Sequence, residues 1–326
     1  MAGTNHSTNK RVVVVGSFMM DLVTYAPRRP DPGETLAGHS FSMRVGGKGF
    51  NQAVAARRAG SPTSMIGAIG DDSYGQKFIE FMDAEDIDHL GVTVLSERGT
   101  GVGLPLIQDD GNNSIVIVPR ANADVDERLI VQSLEEVPDT SVVLAQLELP
   151  INIAEAVGEW TRSHGAMYVL NPAPIQPLPE SLLGKVNVLV PNEGELLALE
   201  MQGSRFVESD STRIEAVKEK AAEIVERYGC SVITTVGECG VVVATAGGIS
   251  EVVPAFRVDN VVDTVGAGDT FCGYLASLLA QEFSISDAAH LANVAAAISV
   301  TREGSASSVP QLDELPKEFL SDVMSI

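Results

Sequence analysis

Ser141-Val142-Val143-Leu144-Ala145-Gln146-Leu147 is an apolar run that turns polar as it ends, and the chain beyond it repeats the pattern. A helical stretch bearing Trp160 follows, then strands at 166–170 and 186–190 with a helix near Glu195. A second helix at about 212–228 leads into a strand at 231–236. Continuous apolar strands of this kind are buried on both faces. Their alternation with helices argues for a mostly parallel sheet covered on both sides. Towards the N-terminus, Arg11-Val12-Val13-Val14-Val15-Gly16 reads as a buried central strand that opens the sheet. A helix at 51–59, a strand at 63–69 and a helix at 73–84 capped by Ser73 give a βαβ rhythm. Residues 18–45 change texture to Pro, Gly, charge and short alternation, as in Glu34-Thr35-Leu36-Ala37-Gly38, which suits exposed hairpins. Strands at 101–107 and 113–118, joined by Asp109-Asp110-Gly111-Asn112, read as another hairpin. Towards the C-terminus, strands at 241–245 and 249–255 precede alanine-rich helices at about 267–281 and 286–301. There are no repeats and no low-complexity linker. The expectation is one α/β domain over 11–326, with 17–45 and 98–122 forming a small β lid, after a disordered tail at 1–10.

Composition bounds the partners. In 326 residues, 44 acidic side chains face 22 basic ones, and the net charge of −22 repels nucleic-acid backbones and anionic lipid surfaces. Neither nucleic acid nor membrane is therefore an expected partner. A small polyanion can still bind where backbone amides, a helix N-terminus and a metal ion override the global field. The three cysteines, Cys230, Cys239 and Cys272, are odd in number, lack CxxC pairing and read as reduced core residues. The histidines are scattered, so a nitrogen- and sulfur-ligated metal site is not expected. Residues 1–10 carry no apolar stretch and no later run is long enough to cross a bilayer. No signal peptide is expected, and the cytoplasm is the expected compartment.

The sharpest chemical signal is Val262-Asp263-Thr264-Val265-Gly266-Ala267-Gly268-Asp269-Thr270-Phe271, small residues running straight into an apolar helix. An anion against Gly266, Ala267 and Gly268 would gain backbone hydrogen bonds and the positive end of the helix dipole. Asp269, in the first turn, would sit beside a transferring phosphoryl group and could accept a proton from an attacking hydroxyl. The same residues also suit a plain loop with an acidic first turn. A Walker-type loop is excluded by spacing, because Gly47-Lys48 is followed by Gly49 and no glycine stands five residues before Gly47.

Further motifs lie in order along nearly the whole chain: Gly46-Gly47-Lys48-Gly49-Phe50-Asn51-Gln52-Ala53, Gln146-Leu147-Glu148, Asn171-Pro172-Ala173-Pro174, Pro191-Asn192-Glu193-Gly194-Glu195 and Thr234-Thr235-Val236-Gly237-Glu238-Cys239-Gly240. Val300-Thr301-Arg302-Glu303-Gly304 and Ser308-Val309-Pro310 close the set. With the Asp263–Phe271 run, they make the chain resemble the PfkB-type family of sugar and nucleoside kinases, and within it the ribokinase group. The resemblance implies a three-layer α/β/α domain with a mostly parallel central sheet and a small β-sheet lid. It implies ATP-dependent phosphorylation of D-ribose at O5, with Asp269 as base and Gly266, Ala267 and Gly268 as the anion hole. It places Asp21, Gly47, Lys48, Asn51 and Glu148 on the sugar, with Met19, Met20, Gly49 and Phe50 completing that pocket. Asn192, Thr235, Val236, Gly237, Glu238, Cys239, Gly240, Gly268 and Asn293 would hold the nucleotide. Glu195 would organise Mg2+ largely through water, a habit that suits a hard cation. Asp263, Val265, Ser299, Arg302, Gly304 and Ser308 would enclose K+. Asn192 and Glu195 also have the spacing of a helix capping box, and Asp263 could equally fix a turn. A homodimer through the lid is the implied assembly.

Met19, Met20, Phe50 and Val265 depart from the family pattern; none removes a catalytic group, but Phe50 and the methionines bear on the sugar pocket. Kinases acting on a nucleoside, a ketose or a sugar phosphate remain alternatives, as does a sugar-sensing protein without turnover. A sugar phosphate would require cationic clamps, for which Arg44, Arg57 and Arg58 are candidates, although Arg57 and Arg58 read better as a solvated helix face.

Overall fold

A computed structural model describes residues 10–199 and 210–319. The expected tail at 1–10 lies, apart from Lys10, outside these residues. Thirteen strands are described: β1 (Arg11–Val15), β2 (Met19–Ala26), β3 (Ser40–Gly46), β4 (Thr63–Gly70), β5 (Val92–Leu95), β6 (Gly101–Gln108), β7 (Asn113–Val118), β8 (Thr140–Ala145), β9 (Met167–Leu170), β10 (Val188–Leu189), β11 (Ser231–Thr235), β12 (Val241–Ala244) and β13 (Ser250–Val253). The described α-helices are α1 (Lys48–Arg58), α2 (Ser73–Ala84), α3 (Glu127–Glu136), α4 (Ile151–His164), α5 (Glu180–Leu183), α6 (Glu193–Ala198), α7 (Asp210–Tyr228), α8 (Ala267–Ala280) and α9 (Ile285–Ser299).

Nine strands form the main sheet in the order β13-β12-β11-β10-β9-β8-β1-β4-β5. Every pairing from β11 to β5 is parallel, and only β12 and β13 run antiparallel at one edge. The four valines of β1 show why both faces are covered. Val12 and Val14 pack into the layer containing α1, α8 and α9, whereas Val13 and Val15 pack into the layer containing α3, α4 and α7. Strand periodicity sends alternate side chains to opposite faces, so a strand with no polar position must be roofed twice. The chain leaves β1 towards β4 on one side and returns through β8 on the other. The carboxyl ends of β1 and β8 thus form the crevice in which open α/β sheets place their ligands.

A second, four-stranded sheet in the order β3-β2-β6-β7 stands apart, with β2 and β6 parallel and the other two pairs antiparallel. The turn expected at Asp109–Asn112 closes it, with the Gln108 amide bonded to the Asn112 carbonyl at 2.9 Å.

Two local expectations need correcting. The cap of α2 is Asp72 rather than Ser73: its carboxylate accepts from the amides of Tyr74 and Gly75, and from the amide and hydroxyl of Thr100. Arg58 is not on a solvated face. It pairs with Glu85 at 2.5 Å and donates to the carbonyls of Ala306 and Val309, pinning α1 to the C-terminal segment.

Candidate active site

Helix α1 brings the first group of side chains to the crevice. Its cap, Gly47, adopts φ 93°, and a Cβ there would meet the Met19 amide nitrogen at 2.8 Å. Gly49 lies against the end of β1, where a Cβ would fall 2.5 Å from the Ser17 nitrogen. The glycines therefore let a helix start directly over a strand end. Glu148, just beyond β8, accepts from the Lys48 amide at 2.8 Å and from the Ser17 hydroxyl, tying β1, α1 and β8 together.

The second group comes from α8. Gly266 caps it at φ 81°, left-handed backbone suited to glycine, and a Cβ there would meet Ser305 at 2.8 Å. The Thr270 amide is bonded to the Gly266 carbonyl at 2.8 Å, and that of Ala267 reaches Thr264 at 3.4 Å. The amides of Gly268 and Asp269 have no intrahelical acceptor, as the first turn of any helix dictates. Asp269 is 8 % exposed. Its two oxygens accept from Asn51 Nδ2 and Gln52 Nε2, both at 2.9 Å. That contact is possible because α1 and α8 touch at Gly273, where a Cβ would lie 2.4 Å from Ala55 Cβ.

Burial pushes the Asp269 carboxyl above its ordinary range, against the pull of Lys48, Asn51 and Gln52. Burial and nearby Glu148 raise Asp21 to about 6, with Arg44 opposing and Asp269 adding to the shift. Glu195 is raised by burial, partly offset by the Asn192 amide and Lys48. Lys48 is lowered by burial, but Asp269, Glu148 and Glu195 outweigh that and hold its ammonium above the ordinary value. One lysine thus balances several carboxylates.

Two adjoining cavities meet at Gly268 and Thr235. The smaller, of about 210 Å³, is lined by Lys48, Asn171, Asn192, Glu195, Asp269 and Cys272 among others. The larger, of about 710 Å³, lies between Gly237, Glu238 and Gly240 on one side and Asn293, Ala296 and Ala297 on the other, with Phe256 and Arg257 at its wall. Both readings of the Asn192–Glu195 spacing hold together. The capping box is formed, with the Glu195 amide on Asn192 Oδ1 at 2.8 Å and the Asn192 amide on Glu195 Oε2 at 2.9 Å, while both residues still line the smaller cavity.

Several expected contacts are not made by side chains. The Phe50 ring is fully buried against Phe18, Phe78 and Phe81, because Phe78 and Phe81 offer it edge-to-face packing, and Phe18 a tilted contact, that a polar cavity does not. Met19 is buried beside Asn122, and Met20 lines a separate groove with Met43 and Lys77. Val236 is buried in the α7 layer of the core and Cys239 packs against it, leaving Gly237, Glu238 and Gly240 to face the larger cavity. Asp263 fixes a turn, accepting from the amides of Val265 at 3.0 Å and Gly304 at 3.2 Å. Arg302 is engaged with Glu314 at 2.7 Å. The Ser299 and Ser308 hydroxyls donate to the carbonyls of Ala296 and Ser305, both at 2.8 Å. Gln52, Asn171 and Cys272 belong to the site yet were given no role from sequence. The first two sit inside quoted motifs, which was the only signal available.

A buried carboxylate at a helix N-terminus, on the wall of a polar cavity that adjoins a larger slot, defines a site for phosphoryl transfer to an alcohol. The profile described as pfkB family carbohydrate kinase matches residues 9–312. A ribokinase of Haemophilus influenzae is 36% identical, over 95% of this chain and 98% of its own. A deoxyribokinase of Salmonella typhimurium is 34% identical, over 95% and 98%. The structure of Arabidopsis thaliana ribokinase complexed with ribose and ATP superimposes with a TM-score of 0.84 at 27% identity, covering 95% of this chain and 98% of that one. The chain belongs to the pfkB family of carbohydrate kinases, and is an ATP-dependent sugar kinase.

Proposed function

We propose that this kinase transfers the γ-phosphoryl group of ATP to O5 of D-ribose, giving D-ribose 5-phosphate and ADP. The observation that carries the reading is the seat of Asp269, clamped at 2.9 Å by two amides beside the free amides of α8, on the wall of the smaller cavity and next to Gly268, where the two cavities meet. The larger cavity suits the nucleotide, whose phosphates would then lie towards Gly268, where it meets the smaller cavity. Asp269 then takes the proton of the sugar hydroxyl as that oxygen attacks phosphorus, a role to which an upward-shifted carboxyl is suited. Asn51 Oδ1 is buried without a partner and is available to a second hydroxyl, while the Asp21 carboxylate can accept from a vicinal diol.

Glu195, beside Asn192, offers a hard oxygen on the wall of the smaller cavity, a donor that fits Mg2+ held largely through water and substrate phosphates. Among the described residues no cluster of three or more His, Cys, Asp or Glu is placed to hold a metal. When bound, Mg2+ supplies charge neutralisation at the β- and γ-phosphate oxygens. For K+, the Asp263 carboxylate is already shared by two amides, so backbone carbonyls of the Asp263–Val265 and Ser299–Ser308 segments would be the main donors. When bound, K+ would supply positive charge beside the anion cradle. We also propose that the four-stranded sheet closes over the sugar to exclude water, that its outer face joins a second copy into a homodimer, and that the enzyme works in the cytoplasm. Among the described residues no helix is long and apolar enough to cross a membrane.

A second reading, 2-deoxy-D-ribose as acceptor, is favoured by the deoxyribokinase relatives at 34% identity. ADP release measured across D-ribose, 2-deoxy-D-ribose, nucleosides and fructose phosphates decides between them. The highest kcat/KM is expected on D-ribose, and a higher value on any other acceptor overturns the assignment. Asp269→Asn should lower kcat by about 10²–10⁴-fold, and near-normal turnover would remove it as the base.

A further inference from the structure

We infer that Gln52 and Gln146 are positioning residues: they form a directional chain of buried amides, anchored through Asn171 at the Val190 carbonyl, that fixes the plane of the Asp269 carboxylate. The inference rests on Asp269 acting as the base. An ionised carboxylate can only accept hydrogen bonds, so Gln52 must turn its Nε2 towards Asp269 Oδ1, and it does so at 2.9 Å. The same nitrogen reaches Asn171 Oδ1 at 3.2 Å, and Asn171 Nδ2 in turn donates to the Val190 carbonyl at 2.8 Å. Gln52 Oε1 is left facing the other way and accepts from Gln146 Nε2 at 2.6 Å. Reversing either glutamine amide would set two acceptors or two donors against each other, so the charge on Asp269 dictates the orientation of every member.

Gln52 and Gln146 are 0 % and 3 % exposed, and the chain ends at Gln146 Oε1, buried with no partner. Leucine or methionine would fill that space without stranding an oxygen, so the amides are poor choices as mere core filling. The members come from α1 and from the residues just beyond β8, β9 and β10, which ties the base to the segment that continues into Asn192 and Glu195. Gly16 makes room for the chain, since a Cβ there would lie 2.3 Å from Gln146 Oε1. With Asn51 on the other oxygen, rotation of the carboxylate is blocked on both sides. A misplaced base costs heavily in rate, on the order of 10² for about 1 Å.

The test is kcat against pH at saturating ATP and D-ribose for Gln52→Leu, Gln146→Leu, the double variant and Asp269→Asn. Gln52→Leu should lower kcat about tenfold or more while both KM values stay within about twofold. Its acid limb should move to higher pH, because a donor favouring the ionised carboxylate is gone. Gln146→Leu should show a smaller change of the same sign, and the double variant should be no worse than Gln52→Leu, since Gln146 acts only through Gln52. If Asp269→Asn collapses while Gln52→Leu keeps the parent kcat and pH limb, the relay is overturned and the base stands. Multiplicative losses in the double variant also overturn it. If Asp269→Asn retains turnover, the reading of the base itself has failed. Should Gln52→Leu not fold, Gln146→Leu and Gln146→Met carry the test, and an unmoved acid limb in both overturns the chain.

Discussion

Asp21 occupies β2 with Gly46 and Gly103 as its neighbours on the flanking strands, and a Cβ on either would meet its carboxylate oxygens at 2.5 and 2.3 Å. Those two glycines leave the carboxyl a seat between three strands. Burial there, with Glu148 nearby, lifts it to about 6. In the proposed sugar site the ionised form would be the one to accept two hydroxyls, so the KM for D-ribose should climb as pH falls through about 6, with kcat less affected. Asp21→Asn should bind sugar weakly at every pH, and a wild-type KM flat from pH 5 to 8 would refute this. For stability the sign is opposite: a raised carboxyl binds its proton more tightly folded than unfolded, so its contribution is lost as pH rises from about 4 towards 6. Gly103→Ala should displace the carboxylate and raise the KM for sugar about tenfold or more while sparing that for ATP, as initial rates with each substrate varied will show. Asp269 stands in a distinctive run, whereas Asp21, beside departures from the family pattern, is reached only through the resemblance. The task of Gln52 and Gln146 is not legible in sequence, because a buried amide and a solvated one look alike until its partners, 94 residues apart in the case of this pair, are brought together.

Helices α1 and α8 must nearly touch for Asn51 and Gln52 to reach Asp269, and Gly273 sets that distance. Gly273→Ala should force the helices apart, costing about 1–3 kcal/mol in chemical denaturation, and should lower kcat more than its effect on Tm would suggest. Asp72 does comparable work for α2, capping it while holding Thr100 at the foot of β6. Asp72→Ala should cost about 1–2 kcal/mol, read as a lower urea midpoint at unchanged m. The long apolar strands and the alanine-rich helices were evident from periodicity, because both faces or one broad stripe had to be buried. Val92–Leu95 and Glu127–Glu136 were not assigned. The first is a four-residue edge strand without a fully buried position, and the second buries only Ile130 and Leu134, so neither carries a strong pattern. The Phe50 ring was misplaced for a related reason: a motif fixes its position in the helix, but Phe18, Phe78 and Phe81 decide which way it packs.

The four-stranded sheet leaves apolar side chains in the open, among them Phe41 at 59 % and Val116 at 62 % exposure. An isolated sheet with an uncovered apolar face suits a second copy. If the proposed homodimer forms there, sedimentation should give a dimer at micromolar concentration and a monomer for Phe41→Glu/Val116→Glu; a wild-type monomer would refute it. The molecule as a whole also separates two kinds of information. Layered α/β architecture and the placing of glycines at the turns before α1 and α8 follow from local pattern, because burial and backbone conformation constrain residues next to one another in sequence. The charge balance around Lys48, the raised carboxyls of Asp21 and Asp269 and the amide chain behind Asp269 do not. They depend on how closely groups from distant segments approach in a medium of low polarity, and only the packing of α1 against α8 over the strand ends sets those distances.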